Sequence, residues 1–203
     1  MAKPLKLIVG VGNPGAQYAD TRHNVGVWFV ERLAQRMGLT FKAESRFKAR
    51  VATGFNGQEK LFLLIPDTYM NESGLAVGPF VNFYKLDLET MLVAHDELDF
   101  PIGKIRFKQS GGLAGHNGLR SISSSLGGAN NFNRLRIGVG HPGTREHVIG
   151  HVLGKASAQD RDLIERCLDA AFEALPDAME GNWQKAMNHL HNTDIPGIDT
   201  GDD

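Results

Sequence analysis

Only one cysteine, Cys167, occurs among the 203 residues, which rules out an intramolecular disulfide framework. It falls within an apolar helical pattern and reads as a buried structural thiol, not a nucleophile. No apolar run approaches the roughly 18 residues that a membrane-spanning helix requires. The first residues, Met1-Ala2-Lys3-Pro4, lead straight into a strand-like segment without a secretory h-region; a cytoplasmic protein is expected. The HExxH pattern is missing, and His147 and His151, four residues apart, have no evident third ligand nearby, so no metal site is expected. The GxSxG elbow of serine hydrolases is missing too. Acid is absent locally. Residues 100–145 contain no Asp or Glu, while Lys104, Arg106, Lys108, Arg120, Arg134, Arg136 and Arg145 supply seven positive charges, in a chain whose net charge is −1. Such segregation points to a polyanionic partner, unless acids brought from elsewhere by the fold neutralise a plain solvated face.

What is present alternates between strand and helix patterns. Residues 5–11 form a strand-like run with a glycine-rich exit. Val27, Trp28, Val30, Leu33 and Ala34 make a helical stripe over residues 25–37, which Gly38 ends. Residues 47–55 and 60–65 read as a hairpin turning at Asn56-Gly57. Ser73 is placed to cap a helix that runs to about Tyr84. Residues 91–94 form a short apolar strand of the kind found inside a covered sheet. Half-exposed strands are expected over 104–108 and 134–139, separated by a helix over 117–126. After Ala158 the chain reads as helix with a break near Pro176 and Gly181. The fold class is therefore α/β, a single-domain three-layer α/β/α sandwich around a mixed, mostly parallel twisted sheet. The domain spans 1–192, and a polar, mobile tail is expected over 193–203.

The chemistry gathers at breaks in this pattern. Four asparagines and two histidines lie in Gly12-Asn13-Pro14-Gly15, Thr21-Arg22-His23-Asn24, Tyr69-Met70-Asn71-Glu72-Ser73-Gly74 and Gly115-His116-Asn117-Gly118. Reactive groups collect at strand ends in open α/β folds, and neutral amides suit a peptide or ester better than a phosphate. Gly10-x-Gly12-x-x-Gly15 imitates a dinucleotide fingerprint. However, no helix pattern starts within that turn and no acid ends the second strand, so the glycines read as a tight turn presenting Asn13. Of the eight histidines, His95 reads as a hydrogen-bonded core residue. His23, in a polar loop, is within reach of Asp96 at the end of the central strand. A carboxylate on one imidazole nitrogen fixes the tautomer and stabilises the imidazolium. A His–Asp pair without a nucleophilic side chain suits direct activation of water against an activated acyl bond such as an ester.

The ordered strings Val11-Gly12-Asn13-Pro14-Gly15 with Tyr18 and Thr21-Arg22-His23-Asn24, then Thr68 to Gly74, His95-Asp96-Glu97-Leu98-Asp99, and Gly115-His116-Asn117-Gly118-Leu119-Arg120 closely resemble the bacterial peptidyl-tRNA hydrolases, from about Lys6 to Gly154. The resemblance implies a monomeric esterase that frees tRNA from peptidyl-tRNA lost by ribosomes, with no metal or organic cofactor. By matching position it implies that His23 is the general base and that Asp96 keeps it basic. Asn13 matches the residue that distinguishes N-blocked peptidyl from free aminoacyl groups. Tyr18, Tyr69, Asn71 and Asn117 match substrate contacts, with Met70 and His116 beside them in the cleft. Structural roles compete with these, since Asn71 or Asn117 can cap a helix and Tyr18 or Tyr69 can pack at a core edge. The family often has glycine where Ser110 and Leu113 stand, and an acid where Ser121 stands. Lys104, Lys108, Arg134 and Arg136 are then expected to meet tRNA phosphates beside the helix that starts at Asn117, with Lys108 and Arg136 the principal pair. The rival reading is a non-catalytic RNA-binding relative of the same fold.

Overall fold

A computed structural model describes residues 1–198. Its seven strands are β1 (Leu7–Gly10), β2 (Lys42–Glu44), β3 (Ala49–Asn56), β4 (Glu59–Pro66), β5 (Met91–Glu97), β6 (Ile105–Gln109) and β7 (Asn133–Gly138), in the order β2-β3-β4-β1-β5-β7-β6. The four central strands β4, β1, β5 and β7 run parallel. Antiparallel pairing is confined to the flanks, where β2 meets β3, β3 meets β4, and β6 meets β7.

Period-two burial divides the core into two layers. Ile8, Leu92, Ala94, Leu135 and Ile137 face α1 (Val25–Met37), α5 (Ala158–Met179) and α6 (Trp183–His191). Leu7, Val9, Met91 and Val93 face α2 (Gly74–Tyr84) and α3 (Asn117–Ser125). These are the three layers expected. α1 lies almost on the sheet: a Cβ at Gly26 would stand 2.1 Å from the Ala94 carbonyl oxygen, and one at Gly10 2.5 Å from that of Gly26. Glycine at these positions brings the start of α1 down onto the ends of β1 and β5.

β1 lies between β4 and β5, with α1 on one face and α2 on the other. The carboxyl ends of β1, β4 and β5 therefore open into a switch-point crevice. The loops after all three strands converge there, joined by the short helix α4 (Val148–Val152).

Several sequence expectations shift. The hairpin turns one residue later: Asn56 still pairs with Glu59, the loop is Gly57-Gln58, and Gly57 takes φ 62°. The Asn56 side chain instead donates to the carbonyls of Leu5 and Met179. Ser73 does not cap α2, because its own backbone is already helical and its hydroxyl donates back to the Met70 carbonyl. Ser121 of α3 takes that task, its Oγ accepting from the Gly74 N–H at 2.8 Å. Pro176 sits inside α5, where buried Ala174, Leu175 and Ala178 hold the helix against the core; the break comes at Gly181, with φ 83°. The chain after Asn192 does not leave the body at once. Ile195 is buried in the core and Arg166 donates to the Pro196 carbonyl, so the segment over 193–198 touches the body at these two points. Residues 199–203 lie outside the described residues. No helix among the described residues is long and apolar enough to cross a membrane.

Candidate active site

Asp96, 3% exposed at the end of β5, is the hub of the crevice. Its Oδ2 lies 2.7 Å from His23 Nδ1 and its Oδ1 lies 2.7 Å from His116 Nε2. His23 comes from a helical turn immediately before α1, and His116 from the residue that precedes α3. The protons can be placed by what each ring touches. His116 Nδ1 accepts from the N–H groups of Gly118 and Leu119, so its proton is on Nε2 and is donated to Asp96. The remaining carboxylate oxygen accepts from His23 Nδ1–H. This leaves His23 Nε2 without a partner among the described residues, as a base requires.

Burial is the largest influence on His23 and lowers its pKa, but the charge of Asp96 and its hydrogen bond together reverse this and raise the value above 6.5. Burial pushes the Asp96 carboxyl up, yet the two imidazoles beside it prevail and hold it well below the usual carboxylate range. His95 lies beneath them, its pKa pushed down to about 3, first by burial and then by neighbouring His116. Its Nδ1 meets the Asp96 carbonyl at 2.8 Å. It is the buried core histidine expected.

Asn13 is held from three sides. Its backbone N–H donates to Asn24 Oδ1 and its carbonyl accepts from Asn24 Nδ2, both at 2.9 Å. Its own Oδ1 accepts from the Met70 N–H at 2.7 Å. Only its Nδ2 amino group is left to face a ligand, so Asn13 is a fixed donor and not the two-way amide that composition suggests. Buried Asn24 belongs to the same loop string, but nothing in its spacing distinguished this clamping role.

Asn13, His23, Met70, Asn71, His95, Asp96, His116 and Asn117 share one cleft of about 420 Å³. Asn71 and Asn117 are exposed at its rim and neither caps a helix by its side chain. The cap of α3 is His116 itself. Tyr18 and Tyr69 stand outside the cleft lining and meet edge to face, with ring centroids 6.4 Å apart. The opposite wall is apolar and went unrecognised in the sequence: Val148, Ile149, Val152 and Leu153, with Ile149 71% exposed. α4 has only five residues, too few for a periodic signal.

The basic strands resolve unevenly. Arg134 does not present its guanidinium at the surface: it is 1% exposed and donates to the carbonyls of Gly111, Gly112 and Asn130. Arg136 Nε is paired at 2.9 Å with Glu97 Oε2, and its guanidinium lies 4.2 Å from the Phe100 ring centroid. It is thus partly neutralised instead of being a bare surface charge. Lys108 has no ion-pair partner among the described residues.

His23, Asp96 and His116 also offer two imidazoles and a carboxylate with ligating atoms within 4.8 Å of one another. Two ligands about 2.1 Å from a tetrahedral ion stand roughly 3.4 Å apart. Here each nitrogen is 2.7 Å from its carboxylate oxygen, a distance that fits a hydrogen bond and leaves no gap for an ion.

The family model for peptidyl-tRNA hydrolase matches residues 7–197. Over 192 residues the chain is 50% identical to the peptidyl-tRNA hydrolase of Alcanivorax borkumensis, covering 94% of this chain and 98% of that one. The Haemophilus influenzae enzyme of the same name matches equally, at 50% identity with coverage of 94% and 98%. The crystal structure of peptidyl-tRNA hydrolase from Acinetobacter baumannii superposes with a TM-score of 0.90 at 46% identity, covering 94% of this chain and 96% of that one. With the family model matched over residues 7–197 and relatives half identical over nearly the whole chain, the chain belongs to the peptidyl-tRNA hydrolase family.

Proposed function

We propose that this chain hydrolyses the ester between a peptidyl group and the 3′-terminal ribose of tRNA by direct attack of a water that His23 activates. The observation that carries the reading is the pairing of His23 Nδ1 with buried Asp96, which leaves Nε2 free at the cleft. Nε2 takes a proton from water as the oxygen attacks the ester carbonyl. The tetrahedral intermediate then expels the ribose 3′-oxygen, which recovers the proton from the imidazolium. Asp96 stabilises the charge in between. No side chain becomes acylated. The neighbouring peptide bonds survive because an amine is a far poorer leaving group than the ribose oxygen.

Asn13 supplies selectivity through its donor-only character. A peptidyl substrate offers an amide carbonyl next to the ester, which Nδ2 can donate to. A free aminoacyl group offers only an ammonium, a second donor, so the two groups oppose each other. Asn71 and Asn117 extend the polar rim, and the Val148–Leu153 wall takes apolar peptide side chains. Lys108, with the outer edge of the Arg136 guanidinium, grips acceptor-stem phosphates without reading sequence. Every group comes from one chain, so a monomer suffices and no cofactor enters the chemistry.

Release of tRNA from N-acetyl-aminoacyl-tRNA tests the reading. Hydrolysis that His23→Ala abolishes supports it. Tight tRNA binding without release would instead favour the non-catalytic RNA-binding relative.

A further inference from the structure

β6 runs antiparallel to β7, so it delivers the chain to the end of the strands opposite the crevice. Gln109 pairs with Asn133 at the start of β7, whereas Asp96 pairs with Ile137 near its end. Residues 110–116 must therefore travel roughly 13 Å back along β7, at about 3.3 Å per residue, before His116 can reach Asp96. None of them joins a helix or strand on the way, and of their side chains Leu113 packs against the α2–α3 layer of the core. Ser110, Gly111, Ala114 and Gly115 all take φ between 50° and 96°, a region that disfavours Ser and Ala. The Ser110 N–H ties the start of the segment to the Phe132 carbonyl, and a side chain below holds the stretch that follows. Leu135 and Ile137 of β7 face the α1 layer, so Arg134 faces the other way, beneath the loop. Its guanidinium donates to the carbonyls of Gly111 and Gly112 on the outgoing loop and of Asn130 on the loop that enters β7. It lies 4.9 Å from the ring centroid of fully buried Phe132.

We propose that Arg134 is a positioning residue for the hydrolytic reaction, a buried clamp that sets the return path of residues 110–116 and so delivers His116 to Asp96 and Asn117 to the cleft. It acts through the loop and touches no substrate. The proposal rests on the esterase reading above, yet its structural half can be measured without any turnover. A planar fork is needed to span three carbonyls, and a lysine amine reaches fewer of them.

Arg134→Met fills similar volume without leaving a buried charge, and Arg134→Lys keeps the charge while losing the fork. Both are compared with wild type by amide hydrogen exchange over residues 110–118, by thermal melting, and by kinetics on N-acetyl-aminoacyl-tRNA and on a peptidyl ester of adenosine. In Arg134→Met, exchange in the loop should speed up while the central strands stay protected. kcat should fall on the order of 10- to 100-fold, as expected when reacting groups are misplaced. The loss should be equal on the two substrates, with Arg134→Lys intermediate. A selective rise in KM for the full tRNA substrate, with the adenosine ester unaffected, would make Arg134 a phosphate contact and overturn the clamp. Unchanged loop exchange with normal kcat in a folded variant would overturn it too. If Arg134→Met fails to fold, Arg134→Lys alone decides by the same two outcomes. If wild type itself hydrolyses neither substrate, the esterase reading fails, and the exchange comparison still decides whether the clamp exists.

Discussion

Replacing Asp96 with asparagine should cripple hydrolysis for two separable reasons, both visible in how its oxygens are used. The carboxylate accepts two N–H groups at 2.7 Å, one from each imidazole. A carboxamide has a single acceptor oxygen. His116 cannot adapt, because Gly118 and Leu119 donate to its Nδ1 and keep its proton on Nε2. The carboxamide oxygen of the variant must therefore turn towards His116, which aims the amide NH₂ at His23 Nδ1. His23 then has to accept there and carry its proton on Nε2, the nitrogen that should take a proton from water. The second loss is charge. An imidazolium and a carboxylate with centres about 4 Å apart attract by roughly 4 kcal/mol at an effective dielectric of about 20. At ~1.4 kcal/mol for each tenfold change in rate, that alone slows proton uptake by on the order of 10³-fold.

The assay is single-turnover release of N-acetyl-aminoacyl groups, read beside ¹⁵N shifts of the His23 ring. Wild type should have its neutral-form proton on Nδ1, and Asp96→Asn on Nε2, with a lower pKa because the favouring charge has gone. A folded variant that keeps kcat within tenfold of wild type, or keeps the Nδ1–H tautomer, would refute the reasoning.

How much of this could be read beforehand depended on whether a residue's role was local. α1 was legible because an apolar stripe and Gly38 bound it on both sides, and Gly38 does adopt the left-handed C-cap at φ 67°. β5 was legible only as far as Ala94. His95, Asp96 and Glu97 continue the strand fully buried, and apolarity cannot report a strand that ends in titratable groups. β2 has all three residues exposed and offers no pattern at all. Within the site, His23 and Asp96 were legible because each stands at a break in the apolar pattern. The second imidazole on Asp96 was not, because histidine rarely announces itself as a helix cap. Arg134 misled outright. Charge alternating with apolar residues is the mark of a half-exposed strand, and nothing in the strand itself tells that a distant loop will cover that face.

Further outcomes follow from the same geometry. His23→Ala should lose about 10²–10⁴-fold in kcat with folding intact; near-normal turnover would exclude it as the base. In wild type, kcat/KM should decline on acidification with a midpoint above 6.5, since the folded pKa of His23 is raised; the same pairing contributes stability that is full below pH 6.5 and fades as pH climbs through the folded value, which melting from pH 5 to 9 can check. Asn24→Ala strips both backbone partners from Asn13 and should cost about 1–3 kcal/mol, seen as a Tm drop of roughly 2–4 °C per kcal/mol; an unchanged Tm would count against the clamp. Asn13→Asp swaps the free donor for an acceptor that welcomes an ammonium, so discrimination against free aminoacyl-tRNA should narrow; sharp discrimination retained would move specificity elsewhere in the cleft. Lys108→Ala and Arg136→Ala should raise KM for full peptidyl-tRNA and spare a peptidyl ester of adenosine, which lacks the phosphates. Each lost phosphate contact flattens the slope of log K against log[salt] by on the order of one unit. Glu97 already offsets part of the Arg136 charge, whereas Lys108 has no such partner among the described residues, so Lys108→Ala should flatten the slope more. Equal losses on both substrates would mean that these two side chains support the cleft and that tRNA is held by another surface.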